Sequence, residues 1–201
     1  MKITRDELLI AAFKLFMSVN YEKASFAELE RCLECRKPEY SNTTRTNRNY
    51  FIAVVDRFWF STQNPRNKFT ETNGTFAEFI DEYVKGVQRT MDMLGKLIGA
   101  DKVAPEKFSY HAQYFHFLFQ LLQYDPDAKE KLRNLVDGDY AYWRAAIQRA
   151  IATGELREDV DVEDAVVMFR QVYMGLRFEM AFMGGLNTSG LPNIYMPFTP
   201  Y

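Results

Sequence analysis

The chain has 201 residues, enough for one or two domains with a sizeable core. Apolar residues at 47% and charged residues at 26% are the balance of an ordinary globular protein, and 17 Phe and 12 Tyr supply abundant bulky interior surface. The net charge is −2, so an anionic partner has to be met by a local basic segment rather than by the chain as a whole. Residues 31–48 are that segment, with Arg31, Arg36, Lys37, Arg45 and Arg48 against Glu34 and Glu39. The longest charge-free run, residues 108–124, is too short and too often polar to span a bilayer, and no signal peptide is expected at the start.

In chain order, Thr4 and Glu7 have the T-x-x-E spacing of a capping box, and Leu9, Ala12, Phe13 and Phe16 follow at helical spacing. A first helix is expected to about Val19, with Asn20 as its stop. Ser25 and Glu28 form a second capping box, with Phe26, Leu29 and Leu33 on the apolar side of the helix it starts. Pro38 suits the first turn of another helix after a break at residues 36–38. Two short helices about a tight turn, with basic residues opening the second, make the layout of a helix-turn-helix. Thr46 can cap a further helix that carries Tyr50, Phe51, Ile52, Val55, Phe58 and Trp59 to about Ser61. Cys32 and Cys35 stand in C-x-x-C, but both histidines lie far along the chain, so no four-ligand zinc set forms; two small semi-buried residues are expected there.

Residues 62–74 are polar, contain Pro65 and end in Asn73-Gly74, which predicts a loop. Thr75 and Glu78 open a third capped helix with Phe79, Ile80, Tyr83, Val84, Val87, Met91 and Leu94 on its stripe, fraying over residues 95–104. The next helix, residues 105–124, is apolar around most of its circumference, while Gln113, His116, Gln120 and Gln123 recur on one side. His111 and His116 are five apart and share no face well, so a metal site is not expected. Asp125 and Pro126 restart the chain into a long helix to Ala152, with Gly138 as a soft point and Gly154 as its end. The last long helix, residues 162–183, is apolar on two sides, which predicts burial against both the core and a partner subunit. Residues 184–201 hold glycines and three prolines and are expected to be irregular.

Several of these stretches together resemble a known family. Ala12-Phe13-Lys14-Leu15-Phe16, Asn20-Tyr21, Ala24-Ser25-Phe26, Tyr50-Phe51 and the later Gly154-Glu155-Leu156-Arg157 turn resemble the tetracycline-repressor-type (TetR-like) regulators. The resemblance implies an all-α protein: an amino-terminal three-helix domain over residues 1–46, a helical ligand-binding and dimerisation domain over 47–183, and a tail over 184–201. It also implies double-stranded DNA as partner, a cytoplasmic location, and a homodimer through residues 140–151 and 166–180, where Gly175 would allow close approach. Several positions depart from the family pattern. Glu34 and Pro38 stand where glycine is usual, Glu30 where a small residue is usual, and Glu39-Tyr40-Ser41-Asn42-Thr43-Thr44 replaces the usual aromatic recognition helix.

A DNA-binding regulator is therefore expected, relieved from DNA by a small lipophilic ligand; the alternative is a relative of the same fold that has lost operator binding. An enzyme is not expected, because no nucleophile–base pair, metal cluster or phosphate loop stands out, and no cofactor is implied. Arg36, Lys37 and Arg45 are expected on phosphates, with Tyr40 and Asn42 nearest the bases, since an amide can offer both donor and acceptor to adenine. An effector pocket is expected between the helices of residues 76–94, 105–124 and 162–183, which have more aromatic side chains than one compact face needs. Its walls would be Tyr83, Met91, Tyr114, Phe117, Met174 and Phe178, with His116 and Gln120 as orienting polar groups and Arg170 or Arg177 reaching inward.

Overall fold

The computed structural model describes residues 4–24, 47–69, 74–98, 110–183 and 188–195. Among these, all regular structure is helical, as the sequence pattern predicts. The expected helix-turn-helix of residues 25–46 lies outside the described residues, and with it Cys32, Cys35, Arg36, Lys37, Tyr40, Asn42 and Arg45.

Helix α1 is Arg5–Ser18, and its capping box forms as the spacing predicts. The Glu7 amide donates to Thr4 Oγ1 at 3.2 Å, and Glu7 Oε2 accepts from the Thr4 amide at 2.8 Å. Helix α2 runs without a break through Asn47–Val54, Val55–Phe60 and Ser61–Gln63. Its middle turn is π-helical: the Ser61 amide reaches back five residues to the Asp56 carbonyl, and the hydroxyls of Ser61 and Thr62 donate to the Arg57 and Phe58 carbonyls. Trp59 within that turn is buried and stacks on Tyr114 of the fifth helix, with centroids 5.6 Å apart.

The described first part of the loop expected after Ser61, to Phe69, is instead structured. The Asn64 side chain accepts from the Arg66 amide, Pro65 takes the first helical position, and Pro65–Lys68 forms a short helix, α3. Two glycines explain how so polar a segment can pack inside. A Cβ on Gly86 would lie 1.9 Å from the Lys68 carbonyl oxygen, and one on Gly138 would lie 2.8 Å from Pro65 Cγ. Gly138 is thus a point of close approach between helices rather than a soft point. Phe69 then plugs the core, stacking on Tyr142 at 4.8 Å and on Tyr83 at 4.9 Å.

Helix α4 is Phe76–Ile98, capped by Thr75 and Glu78 as expected, and it passes through Gly95 where fraying was predicted. Helix α5 is described over Tyr110–Tyr124. Helix α6, Ala128–Ala152, starts after a turn in which Asp125 Oδ1 accepts from the Asp127 amide, so Asp125 braces the start without being its cap. It stops at Gly154, whose φ of 77° suits a glycine. Helix α7 is Val162–Phe182, capped by Asp161. The described part of the expected irregular tail, residues 188–195, is helical: Thr188–Gly190 and helix α8, Leu191–Tyr195, fold back on the core. Leu191 and Tyr195 are fully buried there, and the Tyr195 hydroxyl donates to the Phe169 carbonyl at 3.1 Å.

Burial falls into two clusters. One joins α4, α6, α7 and α8 around Trp143, with Phe69, Phe79, Tyr83, Ile147, Phe169 and Tyr173 packed about it. The other joins α1 and α2 to α5 and the end of α4, with Phe13, Phe16, Phe51, Val54, Trp59, Leu94, Phe117 and Leu121.

Candidate functional site: the α5–α7 junction

Helix α5 packs against both the amino-terminal segment and the rest, beside the end of α4. Phe117 is fully buried against Phe13 and Phe51, with centroids 5.5 and 5.6 Å away. One turn on, Gln120 is also buried. Its Oε1 accepts from the Tyr21 amide, and its Nε2 donates to the Phe16 carbonyl at 3.2 Å. A single side-chain amide therefore closes both a donor and an acceptor at the end of α1, as its two-sided chemistry allows. Tyr124 completes the attachment by stacking on Tyr21 at 4.2 Å and donating to Glu22 at 2.7 Å. Lys131 reaches across from α6 to Asp56 at 2.6 Å and Asp125 at 3.0 Å.

On its other side α5 meets α7. The Arg177 guanidinium is buried and lies 3.6 Å from the Tyr114 ring centroid and 6.0 Å from those of Phe115 and Tyr173. Tyr114 belongs to the Phe117 cluster and Tyr173 to the Trp143 cluster, so Arg177 sits where the two aromatic cores adjoin. Burial pushes the hydroxyls of Tyr114 and Tyr173 above the usual tyrosine range, and the Arg177 charge beside them opposes that shift.

The residues expected to line one pocket are divided by this arrangement. Tyr83 lies in the Trp143 core, with Met91 and Met174 packed against it. Tyr114 and Phe117 lie in the other core, and Gln120 is committed to α1. His116 is exposed, and Phe178 is half-exposed with its ring edge-to-face on Phe115 at 5.4 Å. Two open depressions lie elsewhere, and none of the eight lines either of them. The larger, about 1010 Å³, runs between α1, α2 and α4 over Leu9, Ala53, Phe58, Met93 and Leu97. The smaller, about 590 Å³, lies beside Pro65, Leu135 and Tyr142. Among the described residues no group of His, Cys, Asp and Glu could hold a metal ion, and no helix is long and apolar enough to cross a membrane.

Sequence reasoning missed Lys68 and Asp139. Lys68 is buried, with its ammonium 3.5 Å from Asp139 Oδ2, and Arg170 Nε lies 3.8 Å from the same oxygen. Burial holds the Lys68 amine below the usual lysine range, with Arg177 and Arg170 adding to the effect and Asp139 opposing it. Only the helical turn at residues 65–68, which a loop assignment conceals, brings Lys68 inside.

On the outer side of the bundle, α7 exposes Val167, Phe178 and Phe182, next to Met183, and α5 exposes Phe119 and Leu122. Gly175 lies on that side of α7, with nothing within 4 Å of where a Cβ would stand. Helix α6 exposes the small residues Ala141 and Ala145 together with Gln148. Of these exposed side chains, Phe178 and Phe182 pack edge to face, with centroids 5.1 Å apart.

Residues 107–181, which take in α5, α6 and nearly all of α7, match the family model of the tetracyclin repressor-like C-terminal domain. No curated protein and no solved structure matches the chain significantly. Over residues 107–181 the chain is therefore similar to the tetracyclin repressor-like C-terminal domain.

Proposed function

We propose that this chain is a homodimeric, DNA-binding transcriptional regulator whose hold on DNA is relieved by a small lipophilic ligand. The observation that carries the reading is the attachment of α5 to the amino-terminal segment through Gln120, inside a chain whose α5–α7 region is tetracycline-repressor-like. Movement of α5 would move α1, and α1 precedes the basic stretch of residues 31–48. Arg36, Lys37 and Arg45 neutralise phosphates, and Tyr40 and Asn42 face the bases. The two-fold interface uses α6 and α7 in residues 140–151 and 166–180, with Val167, Gly175 and Phe178 on the surface it covers. A ligand acts only if it binds unequally to the dimer geometry that fits DNA and to the one that does not. Of the eight pocket residues, Tyr83, Met91, Tyr114, Phe117, Met174 and Phe178 flank the α4–α5–α7 junction, and a ligand there would have to part the two cores.

The departures at Glu30, Glu34, Pro38 and Glu39 favour a second reading, in which the fold keeps its dimer and ligand site but no longer binds an operator. One experiment separates the two. Fragments retained from a random duplex pool at low salt are tested by gel shift against Arg36→Ala/Lys37→Ala. Under the first reading the double variant binds all duplexes more weakly and loses a salt slope of about two phosphate contacts. A wild-type chain that retains no duplex above background, with no salt-sensitive shift, leaves only the second.

A further inference from the structure

The larger depression lies where α1 and α2 meet the end of α4. Its floor is apolar: Leu9 from α1, Ala53 and Phe58 from α2, and Met93 and Leu97 from α4. Leu9 is buried and Phe58 stacks on Phe13 at 5.4 Å, so the Phe117 core holds both in place, whereas Met93 is 50% exposed. A volume of about 1010 Å³ reaches the upper end of the roughly 300–1,000 Å³ found for sites of drug-sized molecules. Helix α2 lines the groove with its π-turn: Asp56, Arg57 and Phe58 belong to the turn, and Ser61 and Thr62 follow it. Single π-turns inside α-helices are rare and recur at functional sites. The charged groups at the groove are Asp6, Asp56, Arg57 and Lys96. Arg57 holds Asp6 at 3.0 Å, and Lys131 reaches Asp56 from α6 at 2.6 Å. Among the described residues Lys96 pairs with no carboxylate, so three cations stand there against two carboxylates.

We propose that this groove binds a small amphipathic monocarboxylate, with its apolar body along Leu9, Phe58, Met93 and Leu97 and its head at the Lys96 ammonium. The groove is open, so a charged head keeps water around it while the tail is covered, which favours an amphipathic molecule over a wholly apolar one. A second negative charge would face Asp6 and Asp56, which favours a monoanion over a dianion. The bound molecule touches all three helices and holds α1 and α2 in one position on α4. Residues 25–46 run between α1 and α2 in the chain, so both ends of that stretch are tied to the occupied groove. The inference rests on the effector reading above and gives the effector a site that does not require the two cores to part.

The test titrates the full-length wild-type chain by calorimetry with octanoate, octan-1-ol and octyltrimethylammonium, and repeats the titrations on Lys96→Gln and Met93→Asn. The three probes share a tail and differ in the charge of the head. Octanoate is expected to bind about two- to fivefold tighter than the alcohol, the scale of one solvent-exposed ion pair, and the cation more weakly than either. Lys96→Gln should erase the preference for the acid. Met93→Asn, at a half-exposed position that any fold of the chain tolerates, should weaken acid and alcohol alike by about three- to tenfold. Equal affinity for acid and alcohol in the wild type, or a preference that survives Lys96→Gln, overturns the anion assignment. Binding that Met93→Asn leaves unchanged overturns the groove and leaves a lipophilic effector at the junction of the two cores. Failure of all three probes to bind overturns the groove. Binding as expected in a chain that retains no duplex upholds the groove and overturns only relief from DNA.

Discussion

The two aromatic cores are built from similar side chains and do different jobs. The Trp143 core is held by apolar contact: Trp143 lies within 5.1 Å of Phe79 and Phe169 and 4.9 Å of Tyr83, all within the helices of the carboxy-terminal part. The Phe117 core spans residues about a hundred positions apart and adds directional polar bonds from Gln120 and Tyr124 to the chain leaving α1. Apolar contact tolerates small slips, whereas a buried amide that completes two backbone groups fixes one register. The first core supplies stability, and the second holds the amino-terminal segment in one orientation relative to α5.

The largest change expected from breaking this division is Trp143→Ala. Truncating a fully buried Trp in a packed core should destabilise the chain by about 3–5 kcal/mol. Chemical denaturation would measure the loss, which is expected to leave the Tyr21–Tyr124 stacking intact in whatever fraction stays folded.

Gln120→Leu should cost less, about 1–3 kcal/mol, because it strands the Tyr21 amide and the Phe16 carbonyl while keeping the volume filled. Its mark is selectivity. Proteolysis in the region between α1 and α2 should accelerate well before global unfolding, whereas Trp143→Ala should raise cleavage everywhere. Equal acceleration by both variants would erase the distinction between the cores.

Alkaline titration sharpens the same contrast. Burial raises the pKa of Tyr83, Tyr173 and Tyr195 in the first core and of Tyr114 in the second. A tyrosine with a raised folded pKa contributes stability that is fully present below its unfolded value, about 10, and is lost as pH climbs toward the folded value. Lys68 has the opposite sign: its folded pKa is lowered, so its penalty is relieved as pH rises toward its unfolded value of about 10.4. The tyrosines dominate above pH 10, so the melting temperature should fall there. Tyr195→Phe should make that fall shallower, and a melting curve unchanged to pH 11 would contradict the buried hydroxyls.

The smallest effect belongs to the surface. Arg144 holds Glu163 through both carboxylate oxygens, with Nη2 at 2.7 Å, but both side chains are substantially exposed. Arg144→Ala should shift the melting temperature by less than any of the changes above, and less still at high salt, with neither core disturbed.

The helices were legible in the sequence where a local signal sets them. Thr4/Glu7 and Thr75/Glu78 cap as their spacing requires, and the stripe through Phe79, Tyr83 and Val87 is buried. What was hidden depends on partners distant in the chain. Residues 65–68 look like a loop because nothing nearby shows that Gly86 and Gly138 leave room for them. Tyr195 looks like part of an irregular tail because its place, between Phe169 and Trp143, exists only after folding. The expected pocket followed polarity and aromatic content along three helices, residues 76–94, 105–124 and 162–183. Gln120 was expected to orient a ligand, because its true partners, ninety-nine and more residues away, are not legible in the sequence.

The most direct test of the account is hydrogen exchange at the Tyr21 amide, read in the wild-type chain and in Gln120→Leu. If α5 fixes the amino-terminal segment, Tyr21 in the wild type should exchange as slowly as the amides around Phe117, and Gln120→Leu should speed it by roughly ten- to a hundredfold while leaving those of the Trp143 core unchanged. A Tyr21 amide that exchanges as fast as an open loop in the wild type, and does not respond to the substitution, would contradict the coupling on which the regulatory reading stands.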